Sequence, residues 1–290
     1  MIVLFNPAAG WRRIDRLWRV LDVLGENGIR FELVQTGGPG HATTLARDAA
    51  RAGAGLVVAA GGDGTVAEVA TGLLASRTPL GIIPLGTANV LARELRLPTH
   101  PRGVAAMLAF RRTRPIWPGI ATLPSGSRLF VQMLGAGFDA EVVKRLPPGL
   151  KRLIGRGAYA LQTLGEVARY PFVPLSVRID GRDLQAASVV VSKGRFYGGP
   201  FVLAPGADPG AQGFSVALFD RRGPLAALGY AAALPLNLLP GSPGLTLLRG
   251  RVVEIHADRE VPAQTDGDLA GNIPALIQDA EAPIEVVVCR

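Results

Sequence analysis

Two hydrophobic rhythms alternate along the first third of the chain. Ile2 to Phe5 is a short apolar run stopped by Asn6-Pro7, which reads as a strand. Ile14, Leu17, Leu21 and Leu24 then recur at helical spacing, predicting a helix over Ile14 to Leu24. Arg30 to Gln35 alternates as a strand, His41 to Ala52 is an alanine-rich helix, and Leu56 to Ala60 is a continuous apolar strand. A helix from about Val66 to Ala75, a strand from Leu80 to Pro84 and a helix from about Asn89 to Leu95 complete the series. Strand and helix in strict alternation predict an α/β N-terminal domain, a Rossmann-like parallel sheet covered on both faces. In that architecture ligands sit at the carboxyl ends of the strands.

After Arg111-Arg112-Thr113-Arg114-Pro115 the rhythm changes. Strand-like runs dominate at Leu129 to Leu134, Leu175 to Ile179, Ala187 to Ser192, Phe214 to Phe219, Arg251 to His256 and Ile284 to Val288. One longer helical stretch, Ala158 to Arg169, interrupts them. Short strands punctuated by Gly and Pro predict a β-rich, sandwich-like C-terminal domain, mainly antiparallel. The expected division is therefore 1–116 and 117–290, with the last strand able to pack back on the first domain.

Composition narrows the class. Of 290 residues, 48% are apolar and only 19% charged, which excludes a disordered chain. A single cysteine, Cys289, excludes an internal disulfide framework and a cysteine-based zinc site, and His41, His100 and His256 show no metal-ligand spacing. A reducing cytosol fits this. The opening MIVLFNPAAG has too short an apolar run and no basic leader for a signal peptide. Leu225 to Leu239, the most apolar later stretch, is broken by Pro235 and is shorter than a membrane span requires. The net charge of +8 invites nucleic acid or an anionic membrane face, and either a membrane face or a solvated rim accounts for the clusters at Arg111, Arg112 and Arg114 and from Lys144 to Arg156. No recognition helix, zinc finger or RNA-binding sheet signature accompanies them, so no nucleic acid is expected.

The polar motifs fall at the predicted strand ends. Gly61-Gly62-Asp63-Gly64-Thr65 follows a buried strand and precedes a helix. Glycines there let backbone approach a polyphosphate, and a helix N-terminus offers unpaired N–H groups and positive dipole. Asp63, expected to be exposed on this tight turn, is placed to hold the Mg²⁺ of a nucleotide, and Thr65 to cap the helix or donate to phosphate. Glu68 has a competing role as the closing member of a capping box with Thr65. The loops Asn6-Pro7-Ala8-Ala9-Gly10 and Gly86-Thr87-Ala88-Asn89, and the hydroxyl of Thr36, end neighbouring strands. Each loop alone reads as an ordinary turn; together they converge on one sheet edge.

FNPAAG, TGGPGHATTLA, GGDGTVAEV and PLGTANVLARELRLP, in this order, resemble the diacylglycerol kinase catalytic domain, whose superfamily includes sphingosine kinases and, more distantly, NAD kinases and phosphofructokinases. The resemblance continues through GAGFDAEVV at Gly135 to Val143, Asp180-Gly181, and Thr265-Asp266-Gly267-Asp268. It implies an active site in the cleft between two domains. ATP is then expected at Asn6, Pro7, Ala8, Ala9, Gly10, Thr36, at Gly61 through Gly64, at Thr65, Val66, Ala67 and Glu68, and at Gly86, Thr87 and Asn89, with Mg²⁺ carried by the nucleotide. It further implies that Asp268 is the general base toward a lipid hydroxyl, with Asp266 orienting the site or replacing it. A plain Asp-Gly hairpin is the competing reading of this motif.

Three positions depart from the family pattern. Val90 stands where Asp is common after Asn89, Asp268 stands where Glu is common, and Gln212 precedes Gly213 where an acidic residue helps to bind a structural Mg²⁺. Asp208 is the nearby candidate for that metal. The expected function is an ATP-dependent lipid kinase acting on a hydroxyl such as that of diacylglycerol. Another kinase of the superfamily, for a sphingoid base or NAD, and a catalytically weak nucleotide-binding regulator are the alternatives. A lipid substrate in the membrane implies peripheral contact with an anionic surface at the cytoplasmic face, through Lys144 to Arg156, with a homodimer left open.

Overall fold

The computed structural model describes residues 1–10, 13–145 and 172–289. The predicted helix Ala158 to Arg169 and most of the basic segment Lys144 to Arg156 lie outside the described residues. The chain divides into two compact units, Met1–Trp117 with Glu281–Arg290, and Pro118–Ala280.

In the first unit, β1 (Ile2–Phe5), β2 (Glu32–Gln35), β3 (Val57–Gly61) and β4 (Leu80–Pro84) form a parallel sheet in the order β2-β1-β3-β4. β3 and β4 are buried at every position, as strands covered on both faces must be. The C-terminal strand β20 (Ile284–Val287) continues the sheet parallel to β4, and β5 (Thr113–Ile116) closes it antiparallel to β20. The sheet is thus mixed at this edge. The helices are α1 (Pro7–Gly10), α2 (Ile14–Glu26), α3 (His41–Arg51), α4 (Asp63–Leu73), α5 (Val90–Glu94) and α6 (Pro101–Phe110). α2 buries Leu17, Leu21 and Leu24 of the stripe that its spacing predicts, with Val20 added and Ile14 only half-buried. α6 has no counterpart in the sequence reading, although Pro101 at its first turn and its buried Val104, Ala105, Met107 and Leu108 are helix signals.

The second unit stacks two antiparallel sheets. One contains β6 (Gly119–Leu123), β7 (Gly126–Phe130), β9 (Leu175–Ile179), β10 (Arg182–Ala186), β16 (Val253–His256) and β19 (Ala275–Asp279), in the order β10-β9-β16-β19-β6-β7. The other contains β8 (Met133–Ala136), β11 (Ser188–Ser192), β14 (Phe214–Phe219), β15 (Leu245–Gly250), β17 (Pro262–Thr265) and β18 (Asp268–Asn272), in the order β15-β14-β11-β8-β17-β18. Phe130, Val177 and Ile255 from the first sheet meet Leu134, Val189, Phe214 and Val216 from the second in one buried core, the arrangement of a β-sandwich. A small ribbon pairs β12 (Phe196–Tyr197) with β13 (Phe201–Val202), and among the described residues the α-helices are α7 (Phe138–Arg145) and α8 (Pro224–Ala233). Among the described residues no helix is long and apolar enough to cross a membrane.

The single strand expected over Leu129 to Leu134 is two strands in different sheets. The chain breaks at Val131 and Gln132, because the Asp266 carboxylate takes the N–H groups of Val131, Gln132 and Met133 at 2.8, 2.9 and 3.0 Å. Three consecutive donors turned to one carboxylate cannot also serve a β-ladder.

Candidate functional site

The N-terminal motifs meet at the carboxyl edge of β1, β3 and β4. Gly62, in extended conformation, is the residue before α4, and the first helical hydrogen bond runs from Val66 N–H to Gly62 O at 3.1 Å. The N–H groups of Asp63, Gly64 and Thr65 therefore precede the helical ladder and have no carbonyl four residues back within it. A Cβ on Gly61 would lie 2.6 Å from Thr65 Cβ, and one on Gly86 would lie 2.6 Å from Gly62 Cα. Gly61 thus makes room for Thr65 of its own turn, while Gly86 lets the second loop approach Gly62, a contact that leaves bare backbone at the helix N-terminus.

Side chains tie the loops together. Asn6 accepts the Ala8 N–H on Oδ1 and donates from Nδ2 to the Thr65 hydroxyl, both at 3.0 Å. Pro7 and Ala8 open α1, which closes with Ala9 and Gly10. Asn89, in left-handed conformation, donates to Gly86 O at 2.7 Å and starts α5. Thr36 is buried at the end of β2, where its N–H reaches Phe5 O at 2.8 Å, and Thr87 is exposed. Val66 is buried in the core, so only its backbone faces the loops; Ala67 is half-buried.

Three expectations for this segment are corrected. α4 begins at Asp63 and not near Val66, so Thr65 sits inside the first turn and caps nothing. Glu68 closes no capping box: its carboxylate crosses to α3 and takes the N–H of Gly40 at 2.9 Å and of Ala42 at 3.1 Å, serving the first turn of that helix. Asp63 is half-buried and not exposed, and its Oδ1 takes the Val90 N–H at 2.6 Å. Burial pushes the Asp63 carboxyl pKa up, opposed by N–H groups of Val90, Leu91, Asn89 and Asp63 itself. Val90 thus supplies through its backbone a link that its side chain cannot.

A cationic cluster that the sequence reading missed surrounds the loop after β4. Arg13 donates to Gly86 O, Arg16 to Pro84 O at 3.2 Å, and Arg93 to Ala88 O at 2.8 Å. Desolvation, then the charges of Arg16 and Arg93, lower the Arg13 pKa. Such a cluster favours an anion beside it. Arg13 and Arg16 share a helix face by spacing, but nothing in the sequence links them to Arg93.

Asp266 and Asp268 lie on the hairpin of β17 and β18 in the second unit. Thr265 pairs with Asp268, and the two turn residues have positive φ, 49° at Asp266 and 88° at Gly267, as a type I′ turn requires. Asp180-Gly181 repeats this with φ of 47° and 84°, and its carboxylate likewise holds backbone N–H groups, those of Arg251 and Val252. Asp266 is therefore a fastening of its turn, whereas the Asp268 side chain is exposed. Behind the turn, Gln264 is buried, accepts the Gly267 N–H at 2.8 Å and donates to Asp139 at 2.9 Å. Asp139 also accepts the Tyr197 hydroxyl. Burial pushes the Asp139 pKa up to about 6, against the lowering effect of Gln264.

The loop proposed for a structural Mg²⁺ holds a different cation. Lys193, fully buried, donates to Ala211 O at 3.0 Å, Gly213 O at 2.9 Å and Asp279 Oδ1 at 2.7 Å. Asp208 turns back on its own loop, taking the Gly210 N–H at 2.9 Å. A divalent ion does not fit beside the ammonium on these oxygens. Among the described residues no group of three His, Cys, Asp or Glu side chains could hold a metal.

Both halves of the chain are similar to known proteins. Residues 1–127 match the diacylglycerol kinase catalytic domain, and residues 132–288 match the YegS C-terminal NAD kinase beta sandwich-like domain. A Chromohalobacter salexigens protein described as a probable lipid kinase YegS-like is 38% identical over 57% of this chain, a stretch that spans 54% of that relative. A Staphylococcus haemolyticus diacylglycerol kinase is 27% identical over 98% of this chain and 86% of its own length. The crystal structure of a diacylglycerol kinase from Bacillus anthracis str. Sterne has the same fold, with a TM-score of 0.73 at 20% identity over 99% of this chain and 96% of that one. Residues 1–127 belong to the diacylglycerol kinase catalytic domain family, and with residues 132–288 the chain belongs to the family that carries the YegS C-terminal NAD kinase beta sandwich-like domain.

Proposed function

We propose that this protein is an ATP-dependent lipid kinase that works at the cytoplasmic face of a membrane, with a hydroxyl such as that of diacylglycerol as acceptor. The observation that carries the reading is the backbone contact of Gly62 with Gly86 at the start of α4. It leaves the N–H groups of Gly64 and Thr65 and a helix dipole for a polyphosphate, with Arg13, Arg16 and Arg93 adding positive charge. The names of the Chromohalobacter and Staphylococcus relatives support a lipid acceptor.

In the proposed step Asp268 takes the proton of the acceptor hydroxyl. The freed oxygen forms a bond to the γ-phosphorus, the bond from that phosphorus to the β–γ bridging oxygen breaks, and ADP leaves. Mg²⁺ bound to the nucleotide would neutralise phosphate charge; Asp63, engaged with Val90, holds the loops in shape for it. Asp266 fixes the turn that presents Asp268. The test is transfer of radiolabel from γ-labelled ATP to diacylglycerol, a sphingoid base or NAD, each supplied separately to the purified protein. Label in the first supports the reading; label in NAD alone, or ATP binding with no transfer to any acceptor, overturns it.

A further inference from the structure

α8 is a surface helix without a polar outer face. Its sequence, PLAALGYAAA, carries no charge, and its one polar group points inward: the Tyr230 hydroxyl donates to Gly244 O at 2.8 Å while its ring packs edge-on against Phe219 at 5.0 Å. Tyr230, Ala233 and Leu234 lean on a small core of Met133, Val190, Leu203, Ala217 and Leu239. Leu225, Gly229 and Ala232 recur at the three- and four-residue steps of one stripe, and Leu236 follows in the turn after the helix. Leu225 is 86% exposed, Leu236 67% and Leu238 62%. A Cβ on Gly229 would meet nothing within 4 Å. α2 shows the ordinary alternative, with Asp15, Arg19, Asp22 and Glu26 on its open side. A contiguous apolar face of this kind marks a surface that something covers.

Charge identifies the occupant. Arg221 and Arg222, both exposed, stand immediately before the helix, and no Asp or Glu occurs from 221 to 253. We infer that the outer face of α8, with Leu236 and Leu238 beyond it and Arg221 and Arg222 before it, is a docking surface for an anionic lipid bilayer. The leucines enter the acyl region while the arginines meet lipid phosphates, as in helices that lie in the membrane interface. A second copy on a two-fold axis suits the face poorly, since it would bring two pairs of arginines together with only Asp220 of each copy beside them. The inference rests on the lipid-kinase reading only in that such a substrate resides in a bilayer.

The test is flotation of the full chain with vesicles of phosphatidylcholine alone and with one third phosphatidylglycerol. Binding is expected with the anionic vesicles and should weaken as salt rises. Leu225→Ser with Leu236→Ser should reduce it by at least about tenfold, and Arg221→Gln with Arg222→Gln by on the order of fivefold per residue. All four positions are exposed, so unchanged thermal unfolding is expected and is measured alongside. Binding by both double variants equal to that of the starting protein overturns the inference, as does absence of binding to anionic vesicles. A dimer in sedimentation that the leucine variant converts to monomer assigns the face to a second copy and also overturns it. Activity on a short-chain acceptor in free solution, measured in parallel, reports on the kinase reading alone: if binding behaves as expected and no acceptor is phosphorylated, that reading falls and this one stands.

Discussion

The Asp63 carboxylate takes the Val90 N–H at 2.6 Å, so the first residue of α4 also holds the first residue of α5. Two strand-end loops thereby share one fastening. Asp63→Ala is expected to lower folding stability by about 1 kcal/mol through the lost cap. Asp63→Asn should recover it, since an amide oxygen accepts the same bond without burying a charge. Urea unfolding of the starting protein and both variants measures this; a midpoint left unmoved by Asp63→Ala would show that the link contributes nothing.

Asp268→Asn should lower kcat by about 10²–10⁴-fold, the usual contribution of a general base, with nucleotide affinity nearly unchanged. Asp268→Glu should keep far more activity because a carboxylate remains. Turnover and ATP binding of both variants decide the matter, and a silent Asn variant removes Asp268 from the mechanism.

Asp266→Ala should behave differently. It leaves the N–H groups of Val131, Gln132 and Met133 without their acceptor, which is expected to cost on the order of 3 kcal/mol. The variant should melt early yet respond to stabilising osmolyte with recovered activity. A fully folded, inactive Asp266→Ala would instead make Asp266 a reacting group.

Asp139 predicts a pH dependence of stability. Its folded pKa is raised from 3.8 to about 6, so between these values the folded protein holds a proton that the unfolded chain releases. Its contribution is fully present below the unfolded value and is lost as pH rises through about 6. The stability difference between the native chain and Asp139→Asn should therefore move against the native chain from pH 4 to pH 7. A difference that stays flat over this range would refute the buried, protonated carboxyl.

Apolar periodicity carries the first unit because each strand is buried on both faces and each helix on one; β3, β4 and α2 announce themselves. The sandwich is harder to read. β17 and β18 together run PAQTDGDLAGN, where polar residues such as Gln264 are buried and Leu269 is exposed, so no alternation marks them. The strand break at Val131 is illegible because its cause, Asp266, is 135 residues away. In the candidate site the glycines and hydroxyls are visible as motifs, but what each touches is not. Glu68 is three residues from Thr65 and serves another helix; Arg93 meets the Arg13 cluster only through the fold. A motif fixes local backbone, whereas partners come from packing that no spacing encodes.

The strand order of the first unit has a consequence for synthesis. β20, which lies between β4 and β5, is made after the whole segment Pro118–Ala280. On a ribosome adding roughly 5–20 residues per second, β4 therefore waits about 10–40 s with an open edge and β5 unpaired. The sheet that carries the phosphate loops is thus finished last, and a chain stopped early has the GGDGT turn without its completed platform. Truncated products of this protein are expected to be aggregation-prone and not merely inactive.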